Sequence, residues 1–229
     1  MAGAKAAQEN LVTLTYHATH YFLIDLGDGK LMVDAGWVGE LATFKSQLRA
    51  YRIDPAEIKF VLLTHTHPDH AGLAQNIKQL SGARLLIHEK QIACLPQLAA
   101  SFRGKGGYEP IVVDQRDVVL GAATRATLQL LGIRGEVIET PGHSDDSVAL
   151  VLDSGPCFIG DLHLPQYASD EAAAALTRVS WQKLLARGAQ MFYPAHGQPF
   201  PASVVQPALS ELRGSDDIAV DLSLDTQNK

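Results

Sequence analysis

The sequence predicts an α/β fold in which mixed β-sheets carry helices on their outer faces. Three observations support that prediction. Short apolar runs of strand length alternate with stretches of helical period along the chain, and two blocks, near the start and in the middle, are rich in strands. In addition, 46% of the 229 residues are hydrophobic and 19% charged, so the chain can fill a sizeable core. Mean hydropathy is +0.01, unlike the low-hydrophobicity, high-charge composition of disordered chains. No repeat, low-complexity tract or Pro/Ser linker interrupts the sequence. One domain over residues 1–229 is therefore expected, with frayed polar tails at 1–10 and 214–229.

The elements follow in chain order. The apolar runs 21–26 and 30–34 flank Gly27-Asp28-Gly29 and predict a β-hairpin. Residues 38–51 carry Leu41, Phe44, Leu48 and Tyr51 at helical spacing and predict a helix. Phe60-Val-Leu-Leu63 is a continuous apolar run, the pattern of a strand buried on both faces. Residues 73–80 read as a helix, 84–87 as a strand and 89–99 as a helix. Residues 111–131, short apolar runs broken by Asp and Gly, predict β-hairpins. Strands follow at 136–139, 148–152 and 157–159. An Ala/Leu-rich helix at 171–187, a strand at 191–193 and a helix at 202–212 complete the order.

Charge narrows the function classes. Nineteen Lys and Arg against 25 Asp and Glu leave a net charge of −6, with no basic run, which does not favour a nucleic-acid partner; none is expected. Two cysteines, Cys94 and Cys157, are too few for a disulfide framework and lack zinc-knuckle spacing. No apolar stretch approaches the ~18 residues of a membrane span, and residues 1–10 lack the apolar core of a secretory signal. A soluble, cytoplasmic protein without a membrane partner is expected.

The chemistry lies in the histidines. Directly after the buried strand comes Thr64-His65-Thr66-His67-Pro68-Asp69-His70-Ala71-Gly72. His65 and His67 share a parity, so an extended segment turns both to one side, and Asp69 and His70 follow where the chain bends towards the next helix. Imidazole and carboxylate are ligands for Zn²⁺, Fe²⁺ or Mn²⁺. A polar loop that merely caps the next helix is the plainer reading, but such loops seldom concentrate histidine in this way. Three further ligand-type residues stand alone at strand ends beside Gly or Pro: His143 in Thr-Pro-Gly-His, Asp161 in Ile-Gly-Asp and His196 in Tyr-Pro-Ala-His-Gly.

These residues resemble the metallo-β-lactamase superfamily over nearly the whole chain. The family's His-x-His-x-Asp-His, then a His, a bridging Asp and a final His, is matched by His65, His67, Asp69, His70, His143, Asp161 and His196. Leu31-Met-Val-Asp34-Ala-Gly36 resembles its early strand ending in Asp-x-Gly. The resemblance implies a four-layer αββα sandwich of two mixed β-sheets flanked by helices. It also implies two divalent metal ions, Zn²⁺ first, with Fe or Mn as alternatives. His65, His67 and His143 would hold one ion, Asp69, His70 and His196 the other, and Asp161 would bridge them. Two ions roughly 3.5–4 Å apart share a hydroxide whose pKa falls towards ~7; that hydroxide is the expected nucleophile, with Asp69 as the catalytic residue that carries a proton to the leaving group.

Other residues carry weaker expectations. His88, before a helix start, reads as structural. His17 and His20 precede the Tyr21 strand, and His20 is a candidate for the pocket rim. His163, two residues past Asp161, is a candidate substrate residue, and Tyr167 a candidate oxyanion donor. Asp34 either hydrogen-bonds a metal-ligating imidazole or serves a strand-end turn. Cys94, Cys157, Trp37 and Trp181 read as packing. The loop 104–107 matches no phosphate-binding fingerprint; its place suits a flap, with Phe102, Arg103 and Tyr108 as contact residues.

Departures from the family's branches narrow the substrate. The resemblance is to the glyoxalase II and lactonase branch rather than to true β-lactamases, which lack a bridging Asp and are exported. Flavin-linked di-iron relatives put Glu where His67 stands. Glyoxalase II adds a C-terminal helical domain, for which the stretch after His196 is too short. Lactonases carry a Tyr three residues past the bridging Asp, where this chain has Leu164. A metallo-hydrolase of a small-molecule ester, thioester or lactone, monomeric or homodimeric, is expected. The alternatives are a persulfide-dioxygenase-like mononuclear iron enzyme and a non-catalytic metal-binding regulatory module.

Overall fold

A computed structural model describes residues 11–103 and 106–210 of the chain. The expected tails, and residues 104–105 of the expected flap, lie outside the described residues. The apolar run at 60–63 explains the architecture around it. It belongs to strand β4 (Ile58–Leu62) and its continuation. Val61 and Leu63 face one core and Leu62 another, so the stretch from Phe60 to Leu63, covered on both sides, is apolar throughout.

Strand β4 lies inside a six-stranded mixed sheet with β1 (Leu11–Tyr16), β2 (Thr19–Asp25), β3 (Lys30–Val33), β5 (Arg84–His88) and β6 (Val118–Leu120), in the order β1-β2-β3-β4-β5-β6. The first three strands are antiparallel, and β2 and β3 form the predicted hairpin; β3 to β6 run parallel. Parallel neighbours need crossovers, supplied by helices α1 (Leu41–Ala50), α2 (Pro68–Ala71), α3 (Ala74–Ser81) and α4 (Glu89–Ser101). The second sheet has five strands: β7 (Gly135–Glu139), β8 (Val148–Leu152), β9 (Pro156–Gly160), β10 (Met191–Pro194) and β11 (Phe200–Pro201), in the order β11-β10-β9-β8-β7. Only β9 and β10 pair in parallel, joined through helix α6 (Glu171–Ala186).

Three apolar cores hold four layers together. Phe44, Leu48, Ile77 and Leu98 from the helices cover one face of the first sheet. Phe22, Leu31, Leu62 and Leu86 meet Val148, Leu150 and Phe158 between the sheets. Trp181 and Leu184 of α6, with Val205 of helix α7 (Ala202–Ser210), cover the outer face of the second sheet. The αββα sandwich implied by the family resemblance is therefore the fold.

Two expectations need correction. Residues 111–131 do not form hairpins: they hold one short strand, β6, parallel to β5, and helix α5 (Thr124–Leu130). Leu128 enters the inter-sheet core, and Thr124 Oγ1 donates to the Val137 carbonyl at 2.7 Å, which pins the helix against β7. Tertiary packing overrode a locally ambiguous pattern. Trp37 does not pack in the core; it is 38% exposed, with its ring edge-on to His17, whereas Trp181 is fully buried. Strands β1 and β11 were not anticipated. Half-buried Leu11, Val12 and Thr13 lie at the sheet edge, where the alternation is weak.

Candidate metal centre

After β4 the chain leaves regular structure for residues 64–67, then enters α2 with Pro68 at its first position, where a missing N–H costs nothing. Asp69 and His70 thus sit in the first helical turn. Two buried carboxylates fasten this loop. Asp34, at the end of β3, has φ +61°, which Asp tolerates better than most residues. Its carboxylate accepts from the Thr64 backbone N–H at 2.7 Å, from Thr64 Oγ1 at 2.8 Å and from His70 Nδ1 at 2.8 Å. The reading of Asp34 as partner of a ligand imidazole is the one its contacts favour. Asp146, in the turn before β8, accepts from the Thr66 N–H at 2.9 Å, Thr66 Oγ1 at 2.7 Å and Ser144 Oγ at 2.7 Å. It therefore ties the His65–His67 loop to the turn that carries His143. Gln91 adds a strut, donating to the Leu63 and Asp146 carbonyls.

The second sheet contributes one residue per strand end. His143 follows β7, Asp161 follows β9 directly, and His196 follows β10. Gly160, before Asp161, has φ +54°, and a Cβ there would stand 2.5 Å from Thr64 Oγ1, so glycine is required for the two sheets to approach at this point. His196 Nδ1 donates to the Ala18 carbonyl at 2.7 Å, in the tip of the β1–β2 hairpin, leaving Nε2 to face inward. Thr19 Oγ1, from the same hairpin, donates to Asp69 Oδ2 at 3.3 Å.

All seven residues converge. His143 Nε2 lies 3.0 Å from His67 Nδ1 and 3.4 Å from Asp161 Oδ2, and His65 Nε2 is 3.9 Å from the same oxygen. On the other side, Asp161 Oδ1 lies 3.2 Å from His70 Nε2 and 3.4 Å from His196 Nε2, while Asp69 Oδ2 is 3.4 and 3.2 Å from those nitrogens. Two groups could each hold a metal ion: His65, His67, His143 and Asp161, and Asp69, His70, Asp161 and His196, with ligand atoms within 4.8 Å of one another in each. The fit can be tested on the buried atoms. His65 Nε2, His70 Nε2 and Asp161 Oδ1 are all buried without an aligned hydrogen-bond partner. Each such atom costs roughly 1–3 kcal/mol, and all three point into the cluster, where cations would satisfy them together.

Electrostatics agree with that fit. Burial, with the charge of His70 behind it, pushes His65 well below the ordinary imidazole range, and burial also lowers His143. Both are therefore neutral, the form in which imidazole binds metal. Burial opposes charge on His70, but the carboxylates of Asp34, Asp161 and Asp69 together outweigh it and raise the group. The nearby Asp161 and Asp69 carboxylates raise His196 to about 10. Asp69 and Asp161 are disfavoured as anions by burial, yet the His196 and His70 rings beside them hold both well below the usual carboxylate range.

Beside the centre lies a cleft of about 510 Å³, lined by His143, Asp161 and His196 and by Leu162, His163, Leu164, Tyr167, Pro194, Gln198, Phe200 and Val204. His163 and Tyr167 fall within it. His163 Nδ1 donates to the Asp161 carbonyl at 3.2 Å, and Trp181 Nε1 donates to the His163 carbonyl at 3.0 Å. His20 is turned elsewhere: its Nδ1 pairs with Thr15 Oγ1 at 2.8 Å on the β1–β2 ribbon. His88 caps α4, accepting from the Lys90 N–H. Phe102 and Tyr108 stack with centroids 4.9 Å apart and pack on the first core.

The sequence pattern of the metallo-beta-lactamase superfamily matches residues 14–196. The chain belongs to this superfamily. Its members are generally hydrolases. Among curated relatives, the chain is 24% identical over 199 residues to the beta-lactamase-like protein 2 homolog of Drosophila melanogaster, covering 82% of the chain and 61% of that protein. It is 26% identical over 215 residues to the atrochrysone carboxyl ACP thioesterase of Aspergillus terreus, covering 91% of the chain and 57% of that protein. The chain thus spans about three fifths of these relatives' length. Among solved structures, a beta-lactamase from Chitinophaga pinensis superposes with a TM-score of 0.64 at 18% identity, covering 88% of each chain. A metallo-beta-lactamase family protein from Thermus thermophilus gives 0.59 at 24%, covering 87% of this chain and 75% of that one. These likenesses show the fold.

Within this metallo-β-lactamase fold, Asp146 and Thr19 were not found from the sequence. Asp146 stands in Ser-Asp-Asp-Ser, an ordinary turn composition, and Thr19 in a strand. Proximity to His143 was the one available signal for Asp146.

Proposed function

We propose that the chain is a two-metal hydrolase of small-molecule esters, thioesters or lactones, with Zn²⁺ as the resident ion. The observation that carries this reading is the pair of ligand groups sharing Asp161, whose inward atoms His65 Nε2, His70 Nε2 and Asp161 Oδ1 are buried and unpartnered. His65, His67 and His143 would hold one ion and Asp69, His70 and His196 the other, with Asp161 common to both ligand groups. Such a pair supplies Lewis-acid polarisation of a carbonyl and an activated water at neutral pH. The chain's own residues do the rest. Asp34 orients His70 through its Nδ1–H, and the Ala18 carbonyl orients His196. Asp69, kept ionised by His196 and His70, would take the proton that the attacking water gives up and pass it to the leaving group. The thioesterase among the relatives supports an acyl bond as the target. The reading extends to a small-molecule substrate, with no nucleic acid or membrane partner, in a cytoplasmic monomer or homodimer. Among the described residues no helix is long and apolar enough to cross a membrane.

Metal analysis of protein purified without added metal tests the reading. Two zinc ions per chain are expected, with ester, thioester and lactone hydrolysis lost on chelation and restored by zinc. His65→Ala should lose turnover while the chain still folds. A single bound iron, or substantial hydrolysis by His65→Ala, would overturn it.

A further inference from the structure

We propose, resting on the hydrolase reading above, that the cleft beside the centre selects substrates by an uncharged, apolar group attached to the scissile carbonyl. Its floor is Leu162, Leu164, Pro194 and Phe200, and its lip is Tyr167 and Val204. The floor is fixed from behind. Leu162 belongs to the core under α6, with Leu164 and Phe200 packed against it, and the Phe200 ring lies 5.7 Å from Phe192 and 6.1 Å from Trp181. The lip, by contrast, is open: Tyr167 is 72% and Val204 46% exposed. Apolar side chains held out in water beside a reactive centre gain burial when an apolar group covers them.

Charge points the same way. The described lining contains no Lys or Arg, and its one acidic side chain, Asp161, belongs to the metal centre. Beyond the ligands, the polar groups are His163, Gln198 and the Tyr167 hydroxyl, and His163 Nδ1 is committed to the Asp161 carbonyl. Away from the metal centre, a carboxylate or phosphate on the substrate would meet no Lys or Arg in this lining to offset its lost hydration. A succinyl, glutathionyl or phosphorylated group is therefore a poor occupant, and an alkyl or aryl group a good one. The volume of about 510 Å³ lies in the range of pockets that bury a drug-sized ligand.

The test uses the zinc-loaded chain and thioesters of one neutral thiol, N-acetylcysteamine, carrying acetyl, butanoyl, octanoyl or succinyl groups, together with methyl and octyl acetates. Lengthening the apolar part, on whichever side of the carbonyl the cleft accepts, should raise kcat/KM by at least about tenfold, given the transfer free energy of each buried methylene. Succinyl should fall about tenfold below butanoyl. Val204→Lys should reduce the octanoyl-to-acetyl ratio, chiefly through KM, and raise the succinyl-to-butanoyl ratio. A flat response to chain length on both sides, or a preference for succinyl, with hydrolysis intact, overturns this inference and leaves the hydrolase reading standing. Hydrolysis of none of them, with two ions bound, overturns the hydrolase reading instead. Calorimetry then judges the cleft on its own. Tighter binding of octanamide than of succinamate, weakened by Val204→Lys, keeps the apolar subsite, and equal binding removes it.

Discussion

The two sheets build the candidate metal centre by different means. The first concentrates four ligands, His65, His67, Asp69 and His70, in one loop after β4, and braces that loop with the side-chain carboxylates of Asp34 and Asp146. The second sends one ligand from each of three strand ends, held largely by backbone: the Ala18 carbonyl for His196 and the close approach at Gly160 for Asp161. A dense loop needs buried charge to fix its shape, because so many ligands leave few residues for regular hydrogen bonding. Scattered strand ends inherit their positions from the sheet. The dense loop should therefore be sensitive to its braces, Asp34 from the first sheet and Asp146 from the β7–β8 turn of the second, as well as to its ligands, whereas Asp161 and His196 should depend on no side-chain brace of that kind.

The largest test of that contrast is the residue both ligand groups share. Asp161→Asn should cost at least about a thousandfold in kcat/KM, since it weakens both groups at once; metal analysis should find fewer than two ions per chain. Asp146→Ala comes next. It strands the buried Thr66 N–H and hydroxyl, and in metal-free protein should cost about 2–3 kcal/mol, lowering Tm by roughly 5–10 °C in a thermal melt. A melt indistinguishable from the parent would mean that the two sheets are not held together through this carboxylate.

A finer discrimination comes from Asp34→Asn. Asn also tolerates the left-handed backbone at this position, so the change removes charge without adding strain. His70 then loses one of the carboxylates that raise its pKa, the one that orients its ring. Affinity for the second ion should fall about tenfold, the lower end for such outer partners, with the first ion little affected. Competitive titration with a chromophoric chelator reads the two steps separately, and equal weakening of both would contradict the division of ligands. Thr19→Val should show the smallest effect, about threefold on the second ion, for one long hydrogen bond to Asp69.

The same contrast governs how much the sequence disclosed. The dense loop was legible because histidine at alternate positions after a buried strand has little other use. His143, Asp161 and His196 were legible only as a set, through the family's order of ligands. The fold was read where periodicity was strong, as in the β2–β3 hairpin and α6. It was misread at 111–131, where Thr124 and Leu128 declare a helix only once β7 and the inter-sheet core are in place. Asp34 could be named as a candidate because it ends a strand in Asp-x-Gly. Asp146 could not, because its partner Thr66 is 80 residues away and only the folded chain brings them together.

The bond from His196 to the Ala18 carbonyl joins positions 178 residues apart, and it gives the centre an order in time. As the chain is synthesised, the β1–β2 hairpin and the His65–His70 loop emerge first and can dock early, as amino-terminal segments generally do. The first ligand group is complete once Asp161 has emerged. The second waits for β10 and His196 to reach back to a hairpin made long before. On the two-metal reading proposed above, occupancy of the second group would mark a chain whose second sheet has closed on its first.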